Sequence, residues 1–341
     1  MTSAQSQKDQ SQKAQSQKAQ WQIAGWRLAK ACAIAGLWAI LCFFLVEWAR
    51  PDSGFVTVSF TMIQPAAICA FIAYVGDPLG KRSRGYYALV PILSAFGMVF
   101  VSYFVLHEGM ACIVMLAPLW ILSGLGGTLF TYMLRQRDDD ERVDDTFAAH
   151  GLLVLPMLAL MVESAIPVPV DHRTVTREVI IDAPADTIWP MMEGIGAVEP
   201  GSGQWNVTQD VIGIPRPARA WLDGEGLGAV RHAAWDRGVV FQEVITDWQP
   251  GHRLGWRFDF AQSSGWEITD PHLRPDGPYM RILSGGYELE PLDDGRHILR
   301  LSTEYEAQTH FNGYAALWGE LFLGDIHSNV LAVIKQEAER R

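Results

Sequence analysis

Five apolar stretches fill the first half of this 341-residue chain, and they restrict what it can fold into more than any other feature. They lie at roughly Gly25–Trp48, Phe55–Gly76, Tyr86–His107, Met110–Leu134 and Thr146–Pro167. Each is close to the ~20 apolar residues that a helix needs to cross a hydrocarbon core about 30 Å thick. The first half is therefore predicted to be an α-helical membrane bundle with about five spans.

The cationic residues between these stretches fall on alternate sides. The flank of the first stretch and the loops after the second and fourth hold Lys8, Lys13, Lys18, Arg27, Lys30, Lys81, Arg82, Arg84, Arg135, Arg137 and Arg142. The two opposite loops hold only Arg50. Because cytoplasmic loops are enriched in lysine and arginine, the N-terminus is predicted to be cytoplasmic. Five crossings would place everything after Pro167 on the periplasmic or extracellular side of an inner (plasma) membrane.

The chain divides into three parts by composition. Residues 1–20 repeat the sequence QSQK and bury no apolar surface, so they are expected to form a disordered tail. Residues 21–170 form the predicted membrane region, and residues 171–341 a soluble domain. Residues 1–170 carry 12 cationic and 12 acidic side chains, so the formal net charge of −11 belongs to the soluble domain. An acidic domain argues against nucleic acid as a partner.

Cysteine and histidine spacing bears on metals and cofactors. All four cysteines lie in the predicted spans, so the soluble domain has neither a disulfide framework nor a cysteine metal site. No two histidines show the spacing of a metal site beside an acidic residue. Nucleotide-binding and serine-hydrolase motifs are absent from the sequence as well. We therefore expect no metal and no cofactor.

The soluble domain reads as one strand, short helices, a run of antiparallel strands and a long final helix. Arg173–Ile181 alternates like a strand, and a helix follows at DAPADTIWPMM. Further strands are predicted at Ala229–Trp235, Val239–Trp248, Arg253–Phe260, Tyr279–Glu290 and His297–Ala307. The closing helix is predicted from about Asn312 to Glu339.

Four segments carry a resemblance to a known family: VTREVIIDAPADTIWPMM, LDGEGLGAVRHAAW, FQEVITDWQPGHRLGW and WGELFLGDIHSNVLAVIKQEAE. In this order they resemble the START-like superfamily, also called SRPBCC, which includes polyketide cyclase/dehydrase-like proteins. The resemblance covers about residues 172–340, and it is nearest to bacterial members that carry an N-terminal membrane region. It implies a helix-grip fold, an α+β domain whose antiparallel sheet curls around a long C-terminal helix and encloses an apolar cavity. Members bind lipids or other hydrophobic molecules, and no universal catalytic motif can be transferred.

The ionisable candidates for the cavity are His327, Arg231, His232 and Glu243. His327 lies on the apolar stripe of the last helix, where it could contact a ligand, act as a general acid or base, or be an ordinary core histidine. In the strand AVRHAAW either Arg231 or His232 could point inward, because alternate residues face opposite sides. A buried Arg231 would need a carboxylate, and Glu243 on the next strand could supply it.

Aromatic residues complete the candidate site. Six of them are expected to shape the cavity or its core, either as ligand contacts or as ordinary packing: Trp256, Phe258, Tyr287, Tyr305, Trp318 and Phe322. The leading hypothesis is a membrane-tethered module that binds a lipid or another hydrophobic small molecule. The alternatives are an enzyme that acts on such a molecule through His327 or His232, and a structural subunit of a membrane complex. The absence of a complete catalytic set favours the binding module.

Overall fold

The computed structural model describes residues 2–49, 57–78, 80–136, 145–199, 201–266 and 274–340. The chain forms two compact units. The first comprises Met1–Val101 and Leu116–Pro167, and the second comprises Ser102–Met115 and Val168–Arg341. The first unit is helical and the second contains the sheet.

The helices of the first half are α1 (Thr2–Ala49), α2 (Gln64–Gly76, preceded by a π-helical turn, Ser59–Ile63), α3 (Arg84–Phe104), α4 (Met110–Arg135) and α5 (Asp145–Glu163). Four described segments are long and apolar enough to cross a membrane: Gln22–Val46, Ser59–Gly76, Arg84–Phe104 and Met110–Arg135. They correspond to the first four predicted spans. The described apolar part of α5 is shorter, Gly151–Glu163, so the fifth span stays a prediction.

The QSQK tail differs from its expectation. Residues 1–20 were expected to be disordered, whereas α1 begins at Thr2 and includes residues 2–20. The physical reason is that Gln, Lys and Ala are good helix formers. Because the apolar part of α1 already provides a helix nucleus, extending it avoids the cost of nucleation.

Two groups of contacts show which helix ends meet within the first unit. The Glu163 carboxylate, at the end of α5, accepts hydrogen bonds from the Ser59 amide at 2.8 Å and the Ser59 hydroxyl at 2.6 Å. It also accepts one from the Val58 amide at 2.6 Å. The end of α5 therefore lies at the start of α2, where a carboxylate is favoured by the helix dipole. Arg135, at the end of α4, donates to the Tyr74 carbonyl near the end of α2 at 3.0 Å.

The second unit contains one antiparallel sheet of seven strands in the order β1-β7-β6-β5-β4-β3-β2 among the described residues. The strands are β1 (Val170–Ile181), β2 (Pro217–Asp223), β3 (Val230–Trp235), β4 (Val240–Gln249), β5 (Arg253–Ser264), β6 (Met280–Pro291) and β7 (His297–Gln308). Two short helices, α6 (Ala185–Glu193) and α7 (Val207–Asp210), lie between β1 and β2. Strand β2 was not predicted from the sequence.

The last helix, α8 (Asn312–Arg340), packs along β1 and β7. Its buried positions include Leu323, His327, Leu331 and Ile334, which recur every three or four residues and so form one helical face. Leu331 and Ile334 of this face, together with inward residues of the strands, belong to the main hydrophobic cluster of the domain. The antiparallel sheet closed by a long C-terminal helix is the architecture that the sequence predicted.

Candidate functional site

Alternation along the strands determines which side chains face α8. In β5, Leu254 and Trp256 are buried whereas the intervening Gly255 and the following Arg257 are more exposed. In β7, residues 299, 301, 303, 305 and 307 are all buried. We call this buried side of the sheet the inner face. Because side chains of a strand alternate, every second residue of β3, β4 and β6 reaches the same face.

Arg231 and Glu243 meet on the inner face as an ion pair. They are register partners on β3 and β4, and the Arg231 Nη1 donates to Glu243 Oε2. Their side chains are only 6% and 5% exposed. The Arg231 Nε donates to the Glu193 carbonyl at the end of α6 at 3.1 Å, and the Tyr287 hydroxyl also bonds the guanidinium. The charge is therefore buried with several partners, as a buried charge requires.

Electrostatics within this group favour the charged arginine. Burial alone would lower the pKa of Arg231, but the Glu243 carboxylate and the Tyr287 hydroxyl outweigh burial and raise it. Burial raises the pKa of Tyr287 to about 12, although Arg231 opposes that change. Tyr287 is therefore a neutral hydrogen-bonding group at ordinary pH. Neither group has the pKa near 7 that suits a general acid or base.

His327 contacts the inner face from α8. Its Nε2 lies 2.8 Å from the Thr303 hydroxyl on β7, and the residue is 2% exposed. Its Nδ1 is buried and has no hydrogen-bond partner among the described residues. The Thr303 hydroxyl therefore bonds one ring nitrogen of His327, and the other ring nitrogen is unsatisfied.

The imidazole of His327 is neutral. Burial, followed by the nearby positive charge of Arg177, lowers the pKa of His327 to about 3. Arg177 reaches this turn of α8 because Gly324 has no side chain: a Cβ there would lie 2.2 Å from the guanidinium. At ordinary pH His327 can accept or donate one hydrogen bond through Nδ1, depending on its tautomer.

Trp256 contributes a second unsatisfied nitrogen. Its Nε1 is buried without a partner among the described residues, and the residue is 3% exposed. The indole lies over Gly285 of β6, where an added Cβ would be 2.9 Å from Nε1. Gly285 is the register partner of Thr303, whose hydroxyl bonds His327. Trp256, Thr303 and His327 are thus linked through adjacent positions of β5, β6, β7 and α8, and we call these three residues the polar triad.

The structure separates several predicted site residues from this group. His232 lies on the opposite face of β3 and stacks on Trp221, with the ring centroids 5.0 Å apart. Of the two alternatives left open for β3, Arg231 therefore faces inward and His232 outward, because adjacent residues of a strand face opposite sides. His327, the other histidine of the enzyme alternative, contacts Thr303 and has no carboxylate partner among the described residues.

The predicted aromatic residues form three groups. Trp256 contacts both Phe258 and Tyr287, with centroid distances of 6.2 and 5.2 Å. Tyr305 belongs to a different cluster with Val175, Ala307 and Leu323. Trp318 and Phe322, both partly buried on α8, pack on one another at 5.6 Å. The first group contains Trp256 of the polar triad.

Two residues of the site were missed by sequence reasoning. Thr303 lies on the same face of β7 as Leu299 and Leu301, which are buried. A polar residue in this apolar series could have marked the site. Gly285 belongs to the pair Gly285–Gly286 of β6. A glycine inside a strand often marks a position where another group packs closely against the backbone. Neither signal says which group approaches.

The inner face is filled by side chains that contact one another in the main hydrophobic cluster. A pocket of about 450 Å³ lies elsewhere, at the surface beside the end of α8, and is lined by Glu199, Gly201, Ser202, Gln336, Glu339 and Arg340. No group of three or more His, Cys, Asp or Glu side chains suited to a metal ion occurs among the described residues. The predicted apolar cavity stays a prediction.

Comparisons with known proteins concern the fold. No protein-family model and no curated protein matches the chain. Among solved structures, truncated norcoclaurine synthase from Thalictrum flavum is 14% identical with a TM-score of 0.31, covering 50% of this chain and 96% of its own. Zhui aromatase/cyclase from Streptomyces sp. R1128 is 16% identical with a TM-score of 0.32, covering 50% and 96%. Protein MLL2253 from Mesorhizobium loti is 16% identical with a TM-score of 0.30, covering 49% and 98%. Similarity at this level carries no conclusion about activity or ligand.

Proposed function

We propose that the soluble domain binds a lipid or another hydrophobic small molecule between the inner face and α8, beside the membrane that anchors it. The observation that carries this proposal is the pair of unsatisfied nitrogens in the polar triad. A buried polar group without a hydrogen bond costs about 1–3 kcal/mol. Trp256 Nε1 and His327 Nδ1 both bear this cost inside an apolar core. A ligand with one polar end would satisfy them.

The surroundings of the triad define the class of ligand. The two nearby cations are already paired, Arg231 with Glu243 and Arg177 with Glu320, so neither offers an unpaired charge to a charged ligand group. A neutral carbonyl or hydroxyl oxygen can accept from the Trp256 N–H and bond His327 Nδ1. The remainder of the molecule would contact aliphatic and aromatic side chains, which favours an apolar body. Because the inner face is packed, binding requires α8 and the sheet to separate.

The chain connectivity supports a location next to the membrane. Residues 164–169, six in number, connect α5 to β1 and can span at most about 20 Å. The end of α5 lies with the start of α2, and the basic residues 81, 82, 84 and 135 lie at the other end of α2 and α4. If this basic end is cytoplasmic, the domain follows α5 on the outer side.

Native mass spectrometry of the full-length protein, gently released from detergent, tests the binding proposal. We expect an additional mass that dissociates on activation and that chloroform–methanol extraction identifies as a hydrophobic molecule. Trp256→Phe should lose most of it, because the N–H is removed while an aromatic ring remains. Trp235→Phe is the matched control, since Trp235 packs with Phe241 and Trp266 and makes no ring contact with Trp256 among the described residues.

Two outcomes would contradict the binding module. Protein that is consistently free of any apolar molecule would favour the structural-subunit alternative, which agrees with a solidly packed inner face. Chemical turnover of the released molecule, retained in His327→Gln, would favour an enzyme that does not use the predicted histidine. A reporter fused after Arg341 tests the location separately, because it should be active only when exported.

A further inference from the structure

A cluster of cations lies at one end of the membrane unit, remote in sequence from the soluble domain. Lys81, Arg82 and Arg84 occupy the α2–α3 connection and the first residue of α3, and Arg135 ends α4. The loop packs closely against the end of α4. A Cβ added at Gly80 would lie only 3.0 Å from the Arg135 carbonyl oxygen. We call these four side chains the basic cluster.

The arginines of this cluster are positioned by tyrosine rings. The Arg82 guanidinium lies 5.1 Å from the Tyr86 centroid. Arg84 donates to the Tyr132 hydroxyl at 3.2 Å, and Arg135 lies 3.6 Å from the Tyr74 centroid. The contact with the Tyr86 ring leaves the N–H edge of the Arg82 guanidinium available to donate hydrogen bonds.

The tyrosines are themselves connected. Tyr87 contacts both Tyr86 and Tyr132, with centroid distances of 5.3 and 5.1 Å. Arg82 and Arg84 therefore rest on one continuous set of rings. The side chains are ordered before any ligand arrives, which reduces the entropy lost on binding.

The nearby Asp77 carboxylate stabilises the loop between α2 and α3. It accepts hydrogen bonds from the Lys81 and Arg82 amides, each at 3.0 Å, and from the Tyr87 hydroxyl at 2.8 Å. Lys81, Arg82 and Arg84 have no carboxylate within ion-pair distance among the described residues. Lys81, Arg82 and Arg84 therefore place three cations without a carboxylate ion-pair partner, among the described residues, at the end of α2 and the start of α3.

We propose that the basic cluster binds the phosphate headgroup of an anionic phospholipid. Three features favour that occupant. Guanidinium groups bind phosphate through paired N–H donors. The first N–H groups of α3, which begins at Arg84, add donors and a favourable dipole. Basic sites between membrane helices on the cytoplasmic side recognise anionic lipid headgroups, and the positive-inside rule assigns this end of the bundle to that side.

A competing occupant is encoded in the same chain. The run DDDERVDD (138–145) follows Arg135 closely in sequence, and residues 137–144 lie outside the described part of the chain. If this run neutralised the cluster, an added lipid would gain little. The experiment must therefore distinguish binding of a lipid from binding of this acidic run.

Delipidated full-length protein in neutral detergent can be titrated with dioleoyl phosphatidylglycerol or, as the uncharged comparison, dioleoyl phosphatidylcholine, with thermal unfolding and native mass spectrometry as readouts. We expect phosphatidylglycerol to raise the melting temperature and to bind at least tenfold more tightly than phosphatidylcholine. R82Q/R84Q should lose most of that preference. R27Q/K30Q is the matched control, because it removes two exposed cations of α1 from the same predicted side and should retain the preference.

Equal binding of the two lipids by the wild type would overturn the proposal. An equal loss in both double variants would also overturn it, because the effect would then reflect overall charge. A third variant replaces the six carboxylates of residues 138–145 with amides. If phosphatidylglycerol binds selectively only to that variant, the acidic run is the occupant and the lipid proposal is wrong. This experiment does not depend on the soluble domain, so it can fail while the proposed function stands.

Discussion

The Arg231 side and the His327 side of the inner face differ in how completely their polar groups are satisfied. Arg231 is bonded to Glu243, to the Glu193 carbonyl and to Tyr287. His327 has one partner, Thr303, and leaves Nδ1 unsatisfied. Both lie in the same buried core, so the difference cannot be attributed to solvent.

This difference separates a structural role from a binding role. A buried charge with several well-placed partners needs no ligand to account for it. Removing one of the partners should destabilise the folded domain. A buried nitrogen without a partner is a cost that folding alone does not explain. We therefore propose a stabilising role for the Arg231 group and a binding role for the polar triad. The following predictions test that assignment, from the largest expected effect to the smallest.

Breaking the ion pair should have the largest effect. Arg231→Met would leave the Glu243 carboxylate buried and unpaired, so we expect the free energy of unfolding of the domain to fall by about 3–5 kcal/mol. The double variant Arg231→Met/Glu243→Leu should recover most of the loss, because it removes both charges. Denaturant unfolding of full-length protein in detergent, followed by tryptophan fluorescence, measures both. A double variant as unstable as the single one would show that the pair has another role.

Acid should destabilise the domain through His327. Its pKa is about 3 in the folded state and near the ordinary value of 6.5 when unfolded, so the unfolded chain binds the proton first. The stability is fully present above pH 6.5 and is lost as the pH falls towards 3. At about 1.4 kcal/mol per pH unit, we expect a loss of about 2–3 kcal/mol between pH 7 and pH 4.5.

His327→Gln isolates this contribution from the carboxylates that titrate in the same range. The variant keeps a side-chain amide that can reach Thr303 and removes the titrating ring. We expect its unfolding free energy to fall less steeply over the same interval, and the difference between the two slopes is the measurement. Parallel pH profiles would mean that solvent reaches the imidazole in the folded state.

The contact between Gly285 and Trp256 should be sensitive to a single methyl group. In Gly285→Ala the Cβ would lie 2.9–3.0 Å from three atoms of the indole, so the ring must move. Overpacking of this kind costs about 1–3 kcal/mol. Gly313→Ala is the control, because nothing lies within 4 Å of its added Cβ. Equal stability of both variants would mean that Trp256 is not held in the position that the binding proposal requires.

Much of the fold could be predicted because its signals are local. Alternation in RLGWRFDF places Leu254 and Trp256 on one face, and the structure buries both. The same rule could not decide between Arg231 and His232, since a period of two defines two faces without saying which is covered. In AVRHAAW an alanine lies on the same face as each of these two residues. The hydrophobicity of the neighbours therefore did not show which of the two faces is buried. The ion-pair chemistry of Arg231 and Glu243 was the better guide.

The polar triad could not be predicted because it depends on long-range register. Thr303 and His327 are 24 residues apart and meet only when α8 lies across β7. Trp256 joins them through Gly285, whose position opposite Thr303 is set by the pairing of β6 with β7. The helical tail was missed for another reason: low-complexity composition argues for disorder, but helix extension from α1 is a competing local effect that composition does not reveal.

The smallest expected effect comes from removing the partnerless N–H itself. Trp256→Phe deletes part of a buried ring, which costs stability, but it also deletes an unsatisfied donor worth about 1–3 kcal/mol in the opposite direction. We expect ligand-free protein to change by less than about 1 kcal/mol in its unfolding free energy. The same substitution should abolish the stabilisation that a bound ligand provides, so that wild type and variant differ only when the ligand is present. A large loss in ligand-free protein would contradict this expectation, because losing the unsatisfied donor would then not offset the deleted part of the ring.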